Sequence, residues 1–252
     1  MILNIAAYKF VEVDDPQALR ETLHDAAASA ELLGTVLVAR EGLNLFLAGS
    51  ESGIGSLLDV LRSDPRFADI GVKRSYSQSP PFGRLKLRLK DEIISFRRDH
   101  AAPLRGRAPA VAPLDLARWI ERGEDDSGRR LVLLDTRNRE EVAHGTFAGA
   151  LCLPIDRFTE LPGAIADCRQ DLEGATVVSF CTGGIRCEKA ALWMRAEGMS
   201  NVLQLDGGIL GYFEAVGGHG YAGNCFVFDE RVALDPELKP TAGERATNLQ
   251  EA

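Results

Sequence analysis

The sequence contains no apolar run near the roughly 20 residues needed to cross a bilayer, so no membrane attachment is expected. Its start, Met1-Ile2-Leu3-Asn4-Ile5, lacks a basic segment and a small-residue cleavage site, so no signal peptide is expected. Cysteine is scarce. There are five, an odd number without framework spacing, which favours reduced thiols and a cytoplasmic location over a disulfide scaffold. No CxxC pair or His/Cys cluster has zinc-ligand spacing, so no metal site is expected. No flavin, haem or iron motif is present either, and no cofactor is identifiable. The four histidines have no partner visible in sequence, which leaves them without a catalytic assignment.

What remains is ordinary in amount and uneven in distribution. Apolar residues make up 45% and charged residues 26%, as in soluble globular proteins, and 252 residues suffice for one large domain or two ordinary ones. The net charge of -8 conceals an asymmetry: residues 1–108 carry 15 basic against 14 acidic side chains, and the remainder 14 against 23. Residues 73–107 alone hold ten basic and three acidic residues. Such a belt attracts polyanions, or it is simply a solvated surface; charge alone does not separate the two.

Hydrophobic periodicity divides the chain. Strand-like Ile2–Val11, a helix Gln17–Leu33 with Gly34 at its stop, strands Thr35–Val38 and Leu43–Leu47, a helix over 53–62 and a strand Gly71–Tyr76 follow the βαββαβ order of ferredoxin-like domains. In "RLKLRLK", Leu85, Leu87 and Leu89 alternate with Lys86, Arg88 and Lys90. That is a half-buried strand with one basic face, either an edge strand protected against aggregation or a nucleic-acid contact. The second half alternates helix Leu114–Arg122, strand Leu131–Leu134, strand 175–180, helix Ile185–Glu197, strand Val202–Leu205 and a helix from Gly208, the pattern of an α/β domain with a mainly parallel sheet. The expected division is a ferredoxin-like (α+β, acylphosphatase-like) domain over 1–100, a linker over 101–112, an α/β domain over 113–220, and an extension over 221–252 with a disordered end.

Ligands of parallel sheets collect at the carboxyl ends of strands, and Asp135, Cys181 and Asp206 fall at such ends. Cys181 has the strongest chemical context. In "CTGGIRC", Gly183 and Gly184 permit a tight turn with inward amides, the following helix directs its positive end at the sulfur, and Arg186 adds a cation. Each favours thiolate, and a structural cysteine needs none of them. The spacing is C-x4-R. A phosphate cradle is C-x5-R, one residue longer, so the tighter ring of Thr182, Gly183, Gly184, Ile185 and Arg186 suits a single extra sulfur, a persulfide on Cys181. Cys187 is either a resolving thiol for Cys181 or a core residue sharing a helical face with Ala191 and Met194. Cys152, Cys168 and Cys225 are expected to be packing residues.

"LLDTRNREEVAHGTFAGALCLP" (133–154) and "LDGGILGYFE" (205–214) resemble the opening signature and closing helix of rhodanese domains. By that resemblance Cys181 carries sulfur while Asp135 and Arg137 shape its pocket. "REGLNLFLAG" (40–49), "PFGRLKLRLKDEIISF" (81–96), "CTGGIRCEKAALWM" (181–194) and "GNCFVFDERVALD" (223–235) further resemble, in order, the oxygen-dependent tRNA uridine hydroxylases. That resemblance implies conversion of a wobble uridine to 5-hydroxyuridine, with molecular oxygen as co-substrate and tRNA as partner. It gives Lys73, Arg74, Arg84, Lys86, Arg88, Lys90, Arg97 and Arg98 the role of holding the tRNA backbone. Two departures stand out: Leu45-Phe46 where the family has a small and a polar residue, and no cysteine-rich segment after Asp235. The competing readings are a sulfurtransferase fed by thiosulfate or a similar donor, and a non-enzymatic binding module.

Overall fold

The computed structural model describes residues 1–98, 101 and 103–241. The first domain is built from β1 (Ile2–Phe10), α1 (Pro16–Ser29), β2 (Leu33–Ala39), β3 (Gly42–Gly49), α2 (Glu51–Ser63), β4 (Val72–Ser77) and β5 (Leu85–Leu89). The sheet order is β4-β1-β3-β2-β5, with antiparallel pairing throughout except that β5 adds parallel to β2 at the edge. Leu19, Leu23 and Ala27 of α1 and Ile54, Leu57, Leu58 and Leu61 of α2 recur at helical spacing. They bury one face of the sheet against Leu3, Ile5, Val36, Leu45 and Leu47. Among the described residues, the opposite face carries no helix of this domain.

The first helix ends earlier than the sequence pattern suggests. It stops at Ser29, and the chain leaves it through Glu31 in the left-handed region (φ 53°). Leu32 then anchors the turn in the core. Gly34 is therefore not a helix stop but a residue of β2, required because a side chain there would meet the Phe46 carbonyl oxygen at 2.1 Å.

The second domain comprises β6 (Ala110–Val111), α3 (Pro113–Arg122), β7 (Leu131–Asp135), α4 (Arg139–Val142), β8 (Gly145–Phe147), β9 (Leu151–Cys152), α5 (Leu161–Asp167), α6 (Arg169–Leu172), β10 (Thr176–Phe180), α7 (Ile185–Ala196), β11 (Val202–Leu205) and α8 (Gly208–Val216). Its main sheet, β6-β11-β10-β7-β9, is parallel at every pairing. Both faces are covered, by α5, α6 and α7 on one side and α3 and α8 on the other, which is why β10 is buried along its whole length. The mixed α/β fold class expected from the pattern is the one observed.

The segment expected to be a linker is partly structural. Ala101 and Ala108 are buried, and Ala110–Val111 forms the edge strand of the second sheet because its backbone completes β11. Phe96 stacks on Phe158 at 4.6 Å within the second domain's core. The extension also folds back: β12 (Tyr221–Gly223) pairs with β8, and β13 (Cys225–Phe226) pairs with β14 (Ala233–Leu234). The expected disordered end lies outside the described residues.

The domains are joined by buried chemistry. Lys189 of α7, 1% exposed, donates to Glu41 Oε1 at 2.7 Å and to the Ile94 carbonyl at 3.1 Å. Ile93, Ala39 and Ile185 form a small apolar cluster beside it.

Candidate active site

Cys181 follows β10 directly, and α7 begins four residues later. Ile209 N–H donates to the Cys181 carbonyl at 2.9 Å, and Leu210 N–H to that of Thr182 at 3.0 Å. With both carbonyls tied to the start of α8, the loop's amides are free to turn toward the sulfur. Gly184 N–H reaches Sγ at 3.2 Å. Gly184 itself lies in the left-handed region (φ 101°), where a side chain would also strike the Tyr8 hydroxyl at 2.9 Å.

Cys181 is 1% exposed. Burial pushes its thiol up, yet a hydrogen bond from the Cys187 thiol, the Arg186 charge and the amides of Cys187 and Arg186 outweigh it. The result is a pKa of about 6. Burial and the hydrogen bond to Cys181 instead drive Cys187 well above the ordinary thiol range. At neutral pH the pair is thus a thiolate at Cys181 held by a thiol at Cys187, itself 3.6 Å from Thr136 Oγ1.

Arg186 is fixed by a buried bidentate pair, Nη1 to Glu141 Oε2 at 2.5 Å and Nη2 to Oε1 at 2.6 Å. Burial raises the Glu141 carboxyl, but Arg186 more than reverses this and holds it below its usual 4.5. A second network touches the loop from the first domain. Tyr8 on β1 donates its hydroxyl to Glu188 Oε2 at 3.0 Å, and Arg107 Nε donates to Oε1 at 3.2 Å. Burial raises both the Glu188 carboxyl and the Tyr8 phenol.

Above Cys181 opens a cleft of about 1190 Å³ between the two domains. Thr182, Gly183, Ile185, Arg186 and Glu188 line one wall. The other is the helix-free face of the first sheet, with Tyr8, Phe10, Asn44, Phe46 and Ser75. Of the cations singled out on charge, Lys73, Arg74, Lys90 and Arg97 line this cleft, and Arg84, Lys86, Arg88 and Arg98 do not. Lys86 and Arg88 nevertheless pair in register with Thr35 and Leu37, and Leu37 lines the cleft. Strand alternation therefore puts them on the cleft side of the sheet, beyond its rim. Lys73 is engaged by the second domain: its Nζ is 3.7 Å from Glu214 and lies where side chains at Gly207 or Gly211 would stand.

Asp135 and Arg137 do not reach the cleft. Both are fully buried, paired through Nε to Oδ1 at 2.9 Å and Nη2 to Oδ2 at 2.6 Å, and Arg137 also donates to the Gly145 carbonyl at 2.6 Å. They brace the segment that carries Thr136 and Glu141. All five cysteines are free thiols, and burial pushes Cys225 up to about 12. Among the described residues no group of His, Cys, Asp and Glu is arranged to hold a metal ion, and no helix is long and apolar enough to cross a membrane.

Sequence reasoning missed Glu141, Glu188, Tyr8 and Arg107. Glu141 and Glu188 lie within the motif blocks, but nothing in the pattern says that they face the loop. Tyr8 and Arg107 approach from elsewhere in the chain, and no local signal points to them.

Two family models match this chain: the UPF0176 acylphosphatase like domain over residues 2–93 and the rhodanese-like domain over residues 113–215. A Xanthomonas euvesicatoria protein named tRNA uridine(34) hydroxylase is 64% identical over 240 residues, which cover 95% of this chain and 97% of that one. A Xylella fastidiosa protein of the same name is 58% identical over 240 residues, covering 95% and 93%. Among solved structures, the rhodanese-like domain of an Anabaena protein aligns at 19% identity and a TM-score of 0.38, over 57% of this chain and 93% of that one.

Proposed function

The chain belongs to the family of tRNA uridine(34) hydroxylases, and from that membership we propose that it hydroxylates the wobble uridine of tRNA to 5-hydroxyuridine with Cys181 as the reacting group. Full-length relatives of this name favour hydroxylation over sulfur transfer. The observation that carries the site assignment is the placement of Cys181: a sulfur held as thiolate at neutral pH, lining a cleft whose opposite wall is a sheet face edged with lysine and arginine.

The chemistry fits a uracil. The thiolate adds to C6 of the ring, the electrons pass toward O4, and C5 becomes the nucleophilic carbon. Molecular oxygen is the proposed co-substrate: C5 attacks it to give a C5 hydroperoxide. An external thiol reductant supplies the two electrons that cleave the O–O bond and release water, and loss of the C5 proton with expulsion of the thiolate restores the ring. Gly184 N–H and the Cys187 thiol stabilise sulfur as both entering and leaving group. The cations on the cleft side of the first sheet take the anionic strand. Five free thiols and a tRNA substrate suit the cytoplasm.

The test is mass spectrometry of tRNA nucleosides from cells lacking the protein. Loss of 5-hydroxyuridine and its derivatives supports the reading, and an unchanged nucleoside profile contradicts it. The amide-lined loop within a rhodanese-like domain favours one secondary capacity, a persulfide on Cys181 supplied by a sulfur donor. Thiocyanate formation from thiosulfate and cyanide measures it.

A further inference from the structure

Phe228 is the one exposed residue among eleven phenylalanines, at 55%, and it stands in the same cleft as Cys181. It is not a loose side chain on a tail. Val227 N–H donates to the Val232 carbonyl at 2.8 Å and Val232 N–H to that of Asp229 at 3.0 Å, closing a tight turn. Two further contacts pin the turn to the first domain: Glu230 N–H to the Pro81 carbonyl at 3.1 Å, and Arg231 Nη1 to Ser75 Oγ at 2.7 Å. Asp229 accepts from Arg231 Nε at 2.8 Å and keeps that guanidinium in line. Val232 sits at φ 62°, a left-handed conformation that a β-branched residue avoids unless its surroundings impose it. A strained turn, fastened on both sides, thus holds an apolar ring in the open.

The ring has defined neighbours within the site. Phe226 meets it in a T-shaped contact at 5.1 Å, and the Arg186 guanidinium lies 5.9 Å from its centre. Arg186 is the same residue that charges the Cys181 loop, so Phe228 shares a neighbour with the reactive sulfur and lines the same cleft. A phenyl ring has no hydrogen bond to offer and no charge for a phosphate. What it recognises is another flat face, and every nucleobase has one.

We propose that Phe228 is the stacking platform for the nucleobase presented to Cys181, a binding residue that orients the base while the cationic face of the first domain holds the strand. The inference rests on the tRNA reading above. Stacking on an aromatic side chain requires the ring and not merely its bulk, which separates this role from packing.

The experiment uses purified full-length protein with Phe228→Ala, Phe228→Leu and Phe228→Trp substitutions. It measures 5-hydroxyuridine formation against tRNA concentration, and tRNA affinity in parallel. Alanine and leucine are expected to lower kcat/KM about tenfold, mostly through KM, and to weaken affinity by a similar factor, while tryptophan stays near wild type. Alkylation of Cys181 by iodoacetamide reports whether the loop is intact, and leucine decides the matter if alanine disturbs it. Wild-type behaviour of the leucine variant, or a tryptophan variant no better than alanine, overturns the proposal. Absence of 5-hydroxyuridine with the wild-type protein overturns the catalytic reading instead, and the affinity arm then judges Phe228.

Discussion

Cys187→Ala isolates the contribution of one thiol to the reactivity of another. Cys187 is fully buried and uncharged, so the substitution removes a sulfur without stranding an ion. Its hydrogen bond is the foremost influence drawing Cys181 down against burial, ahead of the Arg186 charge. A hydrogen bond to a charged group contributes about 1.5–3 kcal/mol, and 1.36 kcal/mol corresponds to one pH unit, so the Cys181 midpoint should rise by about 1 to 2 pH units. With a wild-type midpoint of about 6, the thiolate fraction at pH 7 falls from about 90% to between about 50% and 10%. The assay is the rate of iodoacetamide alkylation at Cys181 from pH 4.5 to 9. The alanine variant should react roughly 2- to 10-fold more slowly at pH 7 and recover by pH 9, and Cys187→Ser, which keeps a donor, should fall between. A midpoint unmoved from the wild-type value refutes the reasoning. The same variant tests Cys187 as a resolving thiol: in that role its loss blocks turnover at every pH, whereas a hydrogen-bond donor is compensated by raising the pH.

Glu141→Gln leaves the Arg186 guanidinium buried without its counter-ion, at a cost of about 3–5 kcal/mol in chemical denaturation. Because Arg186 holds the Glu141 carboxyl below its ordinary 4.5, wild-type stability from this pair is complete at neutral pH. It declines as pH falls past that value toward the folded-state one, and the variant should lack this acid-side slope. Equal stability at pH 7 contradicts the pairing argument. Lys86→Glu combined with Arg88→Glu should weaken tRNA binding for all tRNAs alike and flatten the dependence of log affinity on log salt by about 0.7–0.9 per lost phosphate contact. An unchanged slope places the strand elsewhere.

Much of the architecture is written in short-range pattern. The alternation of Leu85, Leu87 and Leu89 with basic residues predicts a half-buried strand, and β5 is one, at the edge of the sheet with Leu85 and Leu87 packed against the core. Val202–Leu205 reads as a strand and forms one with the same ends. Gly34 misleads because glycine serves two needs. After a helical stretch it resembles a stop, yet here it admits the neighbouring strand's carbonyl. The reactive loop is legible because its glycines, cysteine and arginine are contiguous. Its surroundings are not. Lys189 meets Glu41 across 148 residues, and Tyr8 meets Glu188 across 180. Those pairs depend on how two domains dock, which no local periodicity records. The tertiary contact adds what charge alone does not give: register with β2 puts Lys86 and Arg88 on the cleft side of the sheet, beyond its rim.

The central claim is that Cys181 performs the uridine chemistry. Its most direct test is complementation of a strain lacking the protein with wild type or Cys181→Ala, followed by mass spectrometry of tRNA nucleosides. Wild type should restore 5-hydroxyuridine and the alanine variant should not, with both proteins equally abundant. Full hydroxylation by the Cys181→Ala protein would contradict the account.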